Sequence, residues 1–113
     1  NLAWLYSVKH DPRALTTARK AAALAPNSGA IADTLGWILI GEGDRAGGLK
    51  SLRLASQNVP NDTGVQLHYA VALAANGRSD DARVVLGKIL KSSGPPEIIE
   101  QAKAQQAKLG TRH

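Results

Sequence analysis

An all-α chain of about three stacked helix pairs and a closing helix, an α-solenoid, is what this sequence of 113 residues predicts. Three observations carry the prediction. The first is a self-repeat: Pro26 and Pro60, Ala21 and Ala55, Leu15 and Leu49, Gly43 and Gly77, Leu39 and Leu73, and Leu52 and Leu86 are each 34 residues apart. Toward the start the spacing shortens to 33, where Leu2-Ala3-Trp4 returns as Leu35-Gly36-Trp37, so one residue is missing from the turn before Asp11-Pro12-Arg13. The second is punctuation by Pro, Gly and Asn about every half period. The third is small residues at matching places, Ala3, Gly36 and Ala70 in one set and Ala14, Gly48 and Ala82 in the other. A fixed period of this length means supersecondary units that cannot bury their apolar faces alone and must stack.

In order along the chain, residues 2–8 are expected to be the remnant of one helix, with Lys9-His10-Asp11-Pro12 as the turn. Residues 13–25 form the second helix, stopped by Pro26, which cannot continue a helix and biases its predecessor away from the α region. Asn27-Ser28 supplies capping oxygens for a helix over about 29–40. Gly41-Glu42-Gly43-Asp44 turns the chain, and residues 45–58 return until Pro60. Asn61-Asp62-Thr63 caps a helix over 64–75, Asn76-Gly77-Arg78 turns, and residues 79–92 return. Ser93-Gly94-Pro95-Pro96 breaks the pattern, and a lone final helix over about 96–109 ends at Gly110. The repeats therefore span about 1–28, 29–62 and 63–94 of a single domain over 1–113. The chain starts inside an apolar-periodic segment and is expected to be a piece of a longer protein. The final helix has a polar outer side with Lys103, Gln105, Gln106 and Lys108, which suits a terminal cap; a partner-binding tail is the alternative.

Small residues at both matching places let paired helices approach closely, while Leu35, Leu39, Leu52, Tyr69, Leu73 and Leu86 fill the space around them. Replacing Gly36 or Ala70 by Leu should overpack this crossing.

Composition narrows the function. No residue is Cys, Met or Phe, which excludes disulfides and thiolate metal sites. The net charge of +5 permits anionic partners without requiring them. No apolar run approaches a membrane span. Gly41-Glu42-Gly43 and Gly47-Gly48 lack the strand-to-helix context and the Lys-Ser/Thr of a phosphate loop. Ser, His and Asp show no spacing that gathers them on one helix face, so no catalysis, cofactor, metal or small-molecule substrate is expected. His68 has no Cys, Asp or Glu at ligand spacing, and His10 and His113 are too scattered to help.

The 34-residue helix pairs, with these small residues, an aromatic or Leu one turn on and Pro at the repeat end, resemble the tetratricopeptide repeat (TPR) over residues 1–96. Asn1-Leu2-Ala3-Trp4-Leu5-Tyr6 with Asp11-Pro12-Arg13-Ala14, followed by Asp33-Thr34-Leu35-Gly36-Trp37, is similar to the closing repeats of a bacterial TPR lipoprotein of PEP-CTERM/exosortase loci. That resemblance implies service in envelope polysaccharide export or PEP-CTERM sorting, and a place in the bacterial envelope or periplasm; a cytoplasmic location is the alternative. In a TPR stack the first helices line a concave surface and the second helices a convex one.

On the first helices Asp33 is the single charged residue, whereas Arg13, Arg19, Lys20, Arg45, Lys50, Arg53, Arg83, Lys88 and Lys91 fall on or beside the second helices. The expected groove is apolar, with Trp4, Asp33, Trp37, Ile40, Leu67, Val71 and Ala74 facing a protein or peptide partner. Trp4 and Trp37 hold the same place in successive repeats and would form an aromatic shelf; burial of both indoles in the seams between repeats is the other reading. Asp33 would meet a basic group on the partner or favour the positive helix N-terminus. The absence of inner-helix Lys or Arg rules out a carboxylate clamp, and the apolar inner face argues against RNA readout. Two further readings stay open: polyanion binding by the basic convex face, and self-association through the groove.

Overall fold

The structure, a computed structural model, describes residues 13–109. Among these residues six helices follow one another: α1 (Arg13–Leu24), α2 (Gly29–Gly41), α3 (Arg45–Asn58), α4 (Thr63–Ala75), α5 (Ser79–Leu90) and α6 (Pro96–Leu109). The expected helix over residues 2–8, with Trp4, lies outside the described residues. No described helix is long and apolar enough to cross a membrane.

Local chemistry sets the boundaries. Ser28 caps α2 by accepting from the Ile31 N–H at 3.2 Å, Asp44 caps α3 through the Gly47 N–H at 2.9 Å, and Asp62 caps α4 through the Val65 N–H at 3.2 Å. The two first helices that are followed by a tight turn end alike. Gly43 at φ +90° and Gly77 at φ +76° occupy the left-handed region, and the next N–H reaches back five residues, from Asp44 to Leu39 O and from Arg78 to Leu73 O. This closure repeats at the 34-residue period because only glycine adopts it without a Cβ penalty. No side chain caps α5; Asp80 and Asp81 in its first turn complement the helix dipole instead. The limits differ from those expected by at most two residues: α1 ends at Leu24 rather than 25, α2 runs on to Gly41, α4 begins at Thr63 rather than 64, and α5 stops at Leu90 rather than 92. Pro96 is the first residue of α6, where its missing N–H leaves nothing unsatisfied.

Consecutive helices pack antiparallel, and the contacts between alternate helices give the stack its sides. Helix α2 touches α4 and α4 touches α6, whereas α1, α3 and α5 do not approach one another. The first helix of each pair therefore lines the inner side, and the second helices splay apart on the outer side. At the α2/α3 crossing the backbones nearly meet: a Cβ on Gly36 would lie 2.5 Å from Leu52 Cγ and 3.1 Å from Gly48 O, and one on Gly48 would lie 2.6 Å from Ile40 Cδ1. In the next pair Ala70 and Ala82 take these places, both buried. Around the crossings Leu52, Leu73 and Leu86 are fully enclosed. Leu35 and Tyr69, expected among the fillers, stay partly open.

Side-chain bonds to backbone carbonyls lock the helices within a unit and between units. The Ser51 hydroxyl donates to Ala32 O at 2.7 Å, Asn58 Nδ2 to Asn27 O at 3.2 Å, and Asn76 Nδ2 to Arg45 O at 2.9 Å. Helix α6 sits where the first helix of a fourth pair would. It buries Ala102 against Leu67, Ala70, Leu86 and Ile89, with Ile98, Ile99 and Leu109 half-covered, and presents its polar side outward. Arg83 fastens it, donating from Nη2 to Leu109 O at 3.0 Å and from Nη1 to Asp80 at 2.7 Å. This is a capping helix: it closes the apolar end of the stack with a solvated surface.

Candidate functional site

The inner side is organised by three residues from two successive first helices. Asp33 and Trp37 are one turn apart on α2 and so share a face. His68 of α4 fits against both: its Nδ1 lies 2.7 Å from Asp33 Oδ1, and its ring stacks on the Trp37 indole with centroids 4.2 Å apart and planes 20° from parallel. A carboxylate accepts, so the hydrogen sits on Nδ1. The indole is thereby backed by an imidazole that is itself held by a carboxylate.

Beside this cluster runs a cleft of about 240 Å³ lined by Trp37, Leu67, His68, Val71, Gln101, Ala104 and Gln105. Helix α2 supplies one wall, α4 the floor and α6 the other wall. Trp37, Val71 and His68 are half-buried, Leu67 is buried at the floor, and Gln101 and Ala104 are exposed. The lining carries no Lys, Arg, Asp or Glu. An apolar floor with amide groups on one rim can take up apolar side chains, and the amides can donate hydrogen bonds to and accept them from polar groups.

Of the residues expected to face a groove, Trp37, Leu67 and Val71 line this cleft and Asp33 stands behind it through His68. Ile40 and Ala74 do not line it. Both pack on the core cluster of Leu49, Leu52, Ala72, Leu73 and Ala82, and Ile40 fills the space that the missing side chain of Gly48 leaves. Trp4 lies outside the described residues, and with it the expected aromatic shelf. Ser28 rather than Asp33 caps α2, and Asp33 Oδ1 holds His68. Sequence reasoning missed His68, Gln101 and Gln105. The signal for His68 was its position 35 residues after Asp33, one period plus one, which puts it beside Asp33 on the next inner helix. On the outer side Lys50, Lys88 and Lys91 are exposed as expected, but Arg83 turns inward to hold α6.

A profile of the tetratricopeptide repeat matches residues 39–106, more than half of the chain and the whole of α3 to α5. The chain belongs to the tetratricopeptide repeat family. Comparison with curated proteins returns no match. TPR domains are generally non-catalytic scaffolds. Among the described residues, no three His, Asp or Glu side chains come together where a metal ion could be held.

Proposed function

We propose that this TPR domain is a protein-interaction scaffold whose inner cleft between α2, α4 and α6 holds a peptide or a segment of a partner protein. The observation that carries the reading is the cleft itself, with a partly open Trp37 and Val71 over a Leu67 floor and a rim of Gln101 and Gln105. Large aromatic anchors in such positions dominate binding energy because they bury area with little loss of conformational freedom. The cleft accepts one bulky apolar side chain at a time, so the partner is an uncharged or weakly charged segment with a Leu-, Ile- or aromatic-sized anchor. Selection of random 12-residue peptides against the chain tests this. Trp37→Ala and Val71→Glu should each weaken the selected peptides at least about tenfold, or about 1.4 kcal/mol, with the helical circular-dichroism spectrum unchanged. Unchanged affinity in both variants would remove the cleft from consideration.

For the cellular setting, we infer service in bacterial envelope polysaccharide export or PEP-CTERM protein sorting. The resemblance of the strings at residues 1–6, 11–14 and 33–37 supports this. A lipoprotein signal with its modified Cys in the full-length gene product would agree with an envelope location, and a full-length product found in the cytoplasm would overturn it.

A further inference from the structure

The outer face contains a second groove of different chemistry. Because α1 and α3 do not touch, a furrow of about 500 Å³ opens between them, floored by Leu35 and Leu39 of α2. Its rim carries Leu54, which is 40 % exposed, together with Arg19 from α1 and Lys50 and Arg53 from α3. These three cations make no ion pair with a described carboxylate. The one acid in the lining, Asp44, is already held by the Gly47 N–H at the start of α3. We infer that this furrow is a docking site for an acidic, apolar peptide segment of another protein: a chain with Leu-, Ile- or Phe-sized side chains flanked by Asp or Glu.

A comparison within the molecule and the chemistry of the alternatives support that occupant. The next furrow along the outer face, between α3 and α5, is about as large, near 470 Å³, and is also floored from the inner helix, by Tyr69. Its single charged lining residue is Lys88, and the places of Lys50 and Arg53 one period on are the uncharged Val84 and Gly87. Among the described residues a furrow thus opens between each successive pair of outer helices, and only the first of these two is rimmed by several cations. A second copy of this chain is a poor occupant, since it too carries +5. A polyanion would meet the cations but leave the open faces of Leu35 and Leu54 uncovered, whereas an acidic-apolar segment satisfies both.

The test is a selection of random 12-residue peptides on the intact 113-residue chain at about 0.15 M salt, followed by anisotropy titration of the winners. The expected result is a class of peptides with apolar residues flanked by carboxylates. Their affinity should fall at least about tenfold in Lys50→Glu/Arg53→Glu and in the milder Lys50→Gln/Arg53→Gln, and at least about tenfold when their apolar residues become Ser. It should hold within about twofold in Trp37→Ala and Lys88→Glu, which separates this furrow from the inner cleft and from its neighbour with a single cation. The proposal is overturned if no selected peptide depends on Lys50 and Arg53. It is equally overturned if the Ser-substituted peptides or heparin bind as well as the winners, because the surface would then be a general polyanion face. Dependence on Trp37 alone would assign all binding to the inner cleft.

Discussion

Gly36→Ala adds one methyl group at the point where α2 and α3 come closest, and its effect can be worked from the geometry. The new Cβ would stand 2.5 Å from Leu52 Cγ and 3.1 Å from the Gly48 carbonyl oxygen. Leu52 is fully buried and cannot swing aside, and a backbone oxygen gives only if the helices part. Overpacking of this kind costs about 1–3 kcal/mol. Against it, replacing glycine by alanine inside a helix returns up to about 1 kcal/mol. The net expectation is a loss of about 0–2 kcal/mol, at about 4–8 °C in Tm for each kcal/mol. Gly87→Ala is the matched control: it lies inside α5 with nothing within 4 Å of its Cβ position, so the same substitution should stabilise by about 0.5–1 kcal/mol. Urea unfolding followed by circular dichroism at 222 nm on both variants gives the two values side by side. A double-mutant cycle sharpens the cause, since Leu52→Ala removes the clashing carbon and should abolish most of the Gly36→Ala penalty. If Gly36→Ala stabilises the chain as Gly87→Ala does, close backbone approach is not what glycine supplies at this crossing.

Three further outcomes follow from particular contacts. Gly43→Ala and Gly77→Ala, at φ +90° and +76°, should each destabilise by about 1–2 kcal/mol in the same unfolding experiment, although nothing crowds either site. Asp62→Ala removes the cap on the Val65 N–H and should cost about 1 kcal/mol, with amide exchange rising first at the start of α4. His68→Ala removes both the Asp33 bond and the stack on Trp37. In a Trp4→Phe background it should shift Trp37 emission to the red as the indole gains solvent, and cost about 1 kcal/mol of stability; unchanged emission would mean that His68 does not cover the indole.

The helices were legible in the sequence because their limits are chosen within a few residues. Ser28, Asp44 and Asp62 cap, Gly43 and Gly77 close, and Pro26 and Pro60 stop, each by a mechanism that needs no distant partner. The close crossing was legible as well, since Gly36 and Gly48 can only mean backbone approach when they recur as Ala70 and Ala82. The inner surface was legible in part. The stripe of Asp33, Trp37 and Ile40 lies on one side of an ideal helix, yet α3 starts directly after the turn and covers its end, so Ile40 drops into the space above Gly48. Trp37, farther from the turn, stays at the edge of the cleft.

The 34-residue period by itself therefore determined the stacked helix pairs, the places of tight packing and the segregation of charge to the second helices. Those properties repeat along one chain and depend on contacts that each unit makes in the same way. The meeting of Asp33, Trp37 and His68, the wall that α6 adds to the cleft, and the cation-rimmed furrow between α1 and α3 were decided only by tertiary structure. They depend on how far each unit is rotated and displaced from the last, which packing of the whole stack sets and which no local spacing encodes.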